Sequence, residues 1–299
     1  MKKYRSFGEL LIDYRIEHEM SQLDLASQFE VDVRTVQRWE KDETLVKPEK
    51  EKDISDQTLL PYQLIRNLNA VVPIPTYYDF RIRKYSLSEL NKDLPDAIWL
   101  KDRIDEVSKR IRTIDADRDI ELLWQDLKTQ KMGEPLLSMR LLQKACQLLP
   151  ELNLIILDKY GNYSGHSIFL PISNFCYSQL LKREIRPDQI HLEDLVTYKQ
   201  LSKPVFLNYD ITADCNDNIF FLSHQILNFF KDYQLKDYIF CSYTARYDSF
   251  ELNKQIELDL AWEEEVSTDA LGLDYHPRFY HGNLKAFLSG PKGMGYQQL

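Results

Sequence analysis

Arg34, Gln37, Arg38 and Lys41 stand at i, i+3, i+4 and i+7, so a helix through them carries all four along one face. A guanidinium fork can donate two hydrogen bonds to the guanine edge in the major groove, and a primary amide can pair with adenine. Lys41 adds a charge suited to phosphate. Val31, Val36 and Trp39 occupy the opposite, inward side. Such a helix needs a partner to hold it, and residues 21–29 supply one. Leu25, Ala26 and Phe29 form its apolar stripe, Ser21 is its N-cap, and Asp32 caps the second helix. Residues 21–40 thus read as a helix-turn-helix.

Ser21, Gln22 and Ala26 in the first helix, and Thr35, Val36, Arg38, Trp39 and Glu40 in the second, form a pattern that resembles the Xre or phage-repressor family of DNA-binding domains. The resemblance implies that Gln22 holds a DNA phosphate, that Val33, Arg34, Gln37 and Arg38 lie at the base edges, and that Thr35 meets the DNA backbone. It also implies a structural pair between Arg15 and Glu40. Glu30 and Asp42 stand where the family usually has Gly. Holding a side chain at positive φ there costs roughly 1 kcal/mol, tolerable in a packed domain.

A chain of 299 residues suits more than one domain, and 43% hydrophobic with 12% aromatic residues describes a folded protein. No stretch approaches the roughly 20 apolar residues a membrane span needs, and the first residues lack an apolar signal core. A cytoplasmic location without membrane contact is expected. Cys146, Cys176, Cys215 and Cys241 are widely spaced and read as buried thiols, with no metal site expected. His276 and His281 flank Pro277, which forbids a regular helical ligand pair.

The net charge of −9 is unhelpful for meeting DNA, and residues 1–48 hold eight Lys or Arg against ten Asp or Glu. Binding must rest on segregated charge, with Lys2, Lys3, Arg5, Arg34, Arg38 and Lys41 turned toward phosphates. An affinity that falls sharply with salt is expected.

Residues 46–57 form a charge run with Pro48 and read as a solvated loop. A short helix over 60–72 follows, ended by Pro73 and Pro75. The domain boundary is placed at 76, a connector with Arg81, Arg83 and Lys84 spans 77–104, the second domain runs over 105–290 and a tail over 291–299. Within the second domain the pattern predicts a helix at 95–107 leading in, a strand at 107–114, helices at 117–127 and 136–149, and strands at 152–158 and 164–172 around a turn at Gly161. Strands at 204–211 and 238–244 flank a helix at 218–233.

That order, strand, two helices, three strands, helix, strand, helix, is an α+β mixed sheet with an early hairpin and a later parallel crossover. With residues 110–119, 158–171 and 269–275 it resembles the GNAT acetyltransferase superfamily. The fold class expected is multidomain: an all-α helix-turn-helix domain plus an α+β GNAT-like mixed-sheet domain. The resemblance implies acetyl-CoA bound through its pyrophosphate at a Gly-rich turn and helix N-terminus. Residues 210–219 correspond; Ile211, Thr212 and Asn218 are the candidate contacts. This segment has no Gly, Arg or Lys, and Asp210, Asp214 and Asp217 would set like charge near the anion. Tyr243 and Tyr247 fall near the position of a general acid, and Glu263, Glu264 and Glu265 read as a solvated acidic face. No catalytic residue is assigned, no cofactor is expected, and acetyl-CoA remains the one to test.

The expected function is a sequence-specific transcription regulator that binds double-stranded DNA as a homodimer, its GNAT-like domain sensing a small-molecule or protein effector or forming the dimer. An active N-acetyltransferase with a fused DNA-binding domain is the alternative. An antitoxin-like or scaffold protein is a second.

Overall fold

The computed structural model describes residues 2–80, 83–86, 108–130, 136–159, 161–233, 237–245, 247–268 and 274–290. Arg81, the helix expected at 95–107, residues 269–273 of the late turn and the tail at 291–299 lie outside the described residues. The chain forms two compact units. One comprises residues 1–90 with 157–164 and 213–217, and the other holds the remainder.

The first unit begins with a strand, β1 (Lys2–Tyr4), followed by α1 (Phe7–Glu17), α2 (Gln22–Gln28) and α3 (Val33–Glu40). The caps are those the sequence predicts: Ser21 and Asp24 form a reciprocal capping box, and the Asp32 carboxylate accepts from the Thr35 N–H at 3.1 Å. Leu25, Ala26, Phe29, Val36 and Trp39 are buried in one apolar cluster. Glu30 and Asp42 adopt φ of 54° and 53°, the left-handed conformation expected where Gly is missing.

The charge run is not a solvated loop. It forms α4 (Pro48–Thr58), with Pro48 in the first turn, where a missing N–H costs nothing. Ile54 and Glu51 are both buried. Arg66 donates to both Glu51 oxygens at 3.1 and 2.8 Å, and Asn69 Nδ2 donates to one of them at 2.5 Å. Arg66 lies in α5 (Tyr62–Leu68), which ends before the prolines because Asn69 turns its side chain to the Val46 N–H and carbonyl.

The expected boundary at 76 falls inside a small sheet. β2 (Thr76–Asp79) pairs antiparallel with β1, Lys2 opposite Tyr78, and with β3 (Lys84–Ser86) across a turn in which Arg83 has φ 50°. The Tyr85 N–H donates to the Asp214 carbonyl at 2.6 Å, the Asp214 N–H donates to the Ser164 carbonyl at 2.9 Å, and Cys215 is buried in the same cluster as Phe29 and Trp39. Residues 157–164 and 213–217 are therefore structural parts of this unit.

In the second unit a 3-10 turn, Ser108–Arg110, precedes a shorter strand than expected, β4 (Ile111–Thr113). Then come α6 (Ile120–Gln130), α7 (Met139–Leu148), β5 (Leu154–Leu157), β6 (Tyr163–Ile172) and α8 (Asn174–Leu181). β7 (Val205–Ala213), α9 (Asn216–Asp232), β8 (Ile239–Thr244), α10 (Tyr247–Gln255), β9 (Asp259–Glu263), β10 (Ser267–Thr268), β11 (Asp274–Tyr275), β12 (Arg278–Gly282) and α11 (Lys285–Ser289) complete it. Seven strands form one sheet in the order β4-β5-β6-β7-β8-β12-β9. β7 and β8 are parallel, crossed over by α9, while β12 is antiparallel to both β8 and β9. This is the mixed sheet the sequence order predicts. The sequence pattern does not show α8 or the strands β9 to β12.

An aromatic core holds α9 to the sheet. Phe206 on β7 meets Phe229, Phe230 and Tyr233 edge-on at centroid distances of 5.4–5.7 Å. Asn153 is fully buried and binds across β5 and β6, accepting from the Phe169 N–H at 2.9 Å and donating to its carbonyl at 3.0 Å. Among the described residues no helix is long and apolar enough to cross a membrane.

Candidate functional site

α3 presents Arg34, Gln37, Arg38 and Lys41 to solvent while Val36 and Trp39 are buried, so the helix separates a cationic, amide-bearing face from an apolar one. Arg38 also lines, with Trp39, Lys47, Glu49, Lys50 and Asp53, a cleft of about 480 Å³ in which both signs of charge are present. The helix is held from behind. Arg15 Nε donates to Glu40 at 2.8 Å, the pair the family resemblance implies. Asp42 accepts from Ser6 Oγ at 2.6 Å and from the Gly8 N–H at 2.9 Å, fastening the end of α3 to the start of α1.

Three residues expected at DNA also have contacts within the protein. Gln22 is engaged within the protein: its amide donates to Glu40 at 2.5 Å and accepts from Gln37 Nε2 at 3.2 Å. Val33 is half-buried and packs against the core. Thr35 donates its hydroxyl to Asp32 at 3.0 Å, joining the cap. Lys2 is paired as well, its ammonium 2.5 Å from Asp13, so it is not an unencumbered phosphate contact. The Asp24 and Asp32 carboxyls are held below the usual carboxylate range by the hydroxyls of Ser21 and Thr35 and by backbone N–H groups.

In the α/β unit the parallel pairing of β7 with β8 runs from Val205 opposite Ile239 to Asn208 opposite Ser242 and stops. Tyr209, Asp210, Ile211 and Thr212 continue beyond it. Asp210 contacts His166 Nε2 at 2.9 Å, and Asp126 lies 3.9 Å from the other ring nitrogen of this fully buried histidine. Ile211 packs against the core and Thr212 is buried. Asn218, in the first turn of α9, accepts from Arg110 Nη1 at 3.4 Å. The segment 210–219 contains no cation, but the fold brings one to it from a residue 108 positions away.

A pyrophosphate would need free N–H donors here. The Asp214 N–H is taken by Ser164, whose hydroxyl also donates to the Asp214 carboxylate. The Asp214 amide is therefore committed within its own unit and is not available to an anion.

Tyr243 accepts from Arg186 at 3.4 Å, and Glu264 pairs with the same guanidinium at 3.5 Å. Glu263 binds Arg278 at 3.1 Å and His276 at 3.4 Å, and His281 Nδ1 meets the Tyr177 hydroxyl at 2.8 Å. Tyr247 opens α10. All four cysteines are buried thiols outside any disulfide, and burial pushes Cys146 and Cys176 up to about 12. Among the described residues no group of three His, Cys, Asp or Glu is placed to hold a metal ion.

No family model matches the sequence, and no curated protein does. Solved structures similar to the chain include an agmatine N-acetyltransferase, at 10% identity and TM-score 0.39. A Drosophila melanogaster polyamine N-acetyltransferase has 11% identity and TM-score 0.38, and a mosquito arylalkylamine N-acetyltransferase-like protein 11% and 0.37. Each match covers 58% of this chain and 98% of the other.

Proposed function

We propose that the chain is a sequence-specific DNA-binding transcription regulator, acting in the cytoplasm as a homodimer on double-stranded DNA. α2 and α3 serve as an Xre-type helix-turn-helix, and the GNAT-like unit is non-catalytic and senses an effector or forms the dimer. The observation that carries this reading is the exposed row Arg34, Gln37, Arg38 and Lys41 on a helix whose other face is locked by Trp39, Glu40 and Asp42. Dimerisation follows from specificity, since a single module of this kind contacts one half-site.

Selection of bound duplexes from a random library by the full chain is the test. Enrichment of a two-half-site sequence supports the proposal, and recovery of no preferred sequence overturns it.

Acetyl transfer is the second reading, favoured by the opening of β7 from β8 and by Arg110 beside Asn218. Calorimetry with acetyl-CoA separates the two. A low-micromolar dissociation constant, about −8 kcal/mol, favours the enzyme, and weak or absent binding favours the regulator.

A further inference from the structure

Trp39 is only 6% exposed, yet its indole N–H meets no acceptor among the described residues and is not sealed from solvent. The open space that Trp39 lines is the cleft of about 480 Å³ bounded by α3, the loop after it and the first turns of α4. An indole N–H can only donate, so the group that completes it is an acceptor. Arg38 and Lys47 line the same cleft, both exposed, and neither forms an ion pair among the described residues. Of the two acids there, Asp53 is paired with Lys50 at 3.1 Å, which leaves Glu49 in the first turn of α4, where the helix dipole favours a carboxylate. Arg38 and Lys47 against Glu49 leave one positive charge. Val31 is half-buried and Leu45 is 48% exposed, so the cleft also holds apolar surface open to water.

We infer that this cleft is an effector site for a small monocarboxylate with an apolar body, and that its occupation withdraws Arg38 from DNA. The carboxylate accepts from the Trp39 N–H and from the Arg38 fork, Lys47 adds its charge, and the apolar body covers Val31 and Leu45. One net positive charge beside apolar surface suits a monoanion with a body better than a bare oxyanion. Arg38 also stands on the exposed face of α3, and a guanidinium paired with the ligand no longer presents both donors to a base edge. Ligand and DNA compete for one side chain. Linkage then requires each to weaken the other by the same factor.

The site stands on the cleft alone, and only its effect on DNA rests on the DNA-binding reading. The full-length chain labelled with nitrogen-15 at its indoles gives one resonance for each of four tryptophans, and Trp39→Phe identifies that of Trp39. Benzoate is the probe, with benzamide and inorganic phosphate for comparison. Benzoate should move the Trp39 resonance saturably and leave the other indoles in place, while benzamide, which lacks the charge, should bind roughly tenfold more weakly. Lys47→Gln, an exposed replacement, should weaken benzoate by a similar factor. Saturating benzoate should weaken wild-type binding to the selected duplex roughly tenfold, and Lys47→Gln should respond less at the same concentration. An unmoved Trp39 resonance, or an equal response to benzamide, overturns the site. A response to phosphate as strong as that to benzoate makes the cleft a seat for the DNA backbone and overturns the carboxylate. Unchanged duplex affinity at saturating benzoate overturns the withdrawal of Arg38. Failure of the wild type to select any duplex overturns the DNA-binding reading and leaves the resonance test of the cleft in force.

Discussion

Arg15 and Glu40 meet at 2.8 Å between α1 and the last turn of α3, with the Glu40 side chain only 6% exposed. Removing Arg15 leaves a carboxylate buried without its cation. Arg15→Ala should cost about 3 kcal/mol in urea unfolding, and a paired apolar replacement, Arg15→Met with Glu40→Leu, should cost less. A single variant as stable as wild type would show that Glu40 finds other compensation.

Gly8 lies where α1 passes the end of α3. A Cβ there would sit 2.6 Å from the Trp39 carbonyl oxygen and 2.7 Å from that of Glu40, both backbone atoms that cannot swing aside. Gly8→Ala should destabilise the chain by about 1–3 kcal/mol and lower DNA affinity by displacing α3. A melting temperature and affinity equal to wild type would contradict this packing.

The caps give a pH dependence of known sign. Asp24 and Asp32 have folded pKa values below the ordinary carboxylate value, as does Asp119, held down by Arg112. Their contribution is complete above the ordinary pKa and is lost as pH falls through it toward the depressed folded values. Urea midpoints should therefore decline below about pH 4, and Asp32→Asn should show a shallower decline. An identical slope would remove Asp32 from the linkage.

The caps, the inward stripe of α2 and α3, and the positive φ at Glu30 and Asp42 were legible in the sequence because they depend on near neighbours. α4 was not, because Glu51 becomes a core residue only through Arg66 and Asn69, which lie 15 and 18 positions on. The three-residue strands β1 and β3 are too short to show a period. In the α/β unit the order of strands and helices followed the hydrophobic pattern, but the contacts of His166 with Asp210 and of Arg110 with Asn218 span 44 and 108 positions. The resemblance implies a phosphate contact for Gln22, and its hydrogen bonds to Glu40 and Gln37 emerge only when α2 and α3 are packed.

A boundary drawn at 76, or even at 90, omits Ser164, Asp214 and Cys215, which complete the first unit. A fragment of residues 1–90 should melt at a lower temperature and less cooperatively than the corresponding transition of the whole chain. Equal stability would mean that segments 157–164 and 213–217 contribute little.

The most direct test of the DNA-reading face is equilibrium binding of the full chain to its selected duplex, measured for wild type, Arg34→Ala, Arg38→Ala and the double variant at fixed salt. Each single replacement should cost about 1–3 kcal/mol on the preferred site, with the fold unchanged by circular dichroism, and Lys41→Ala should weaken all sequences alike. Wild-type affinity in the double variant would remove α3 from the DNA interface and contradict the proposed function.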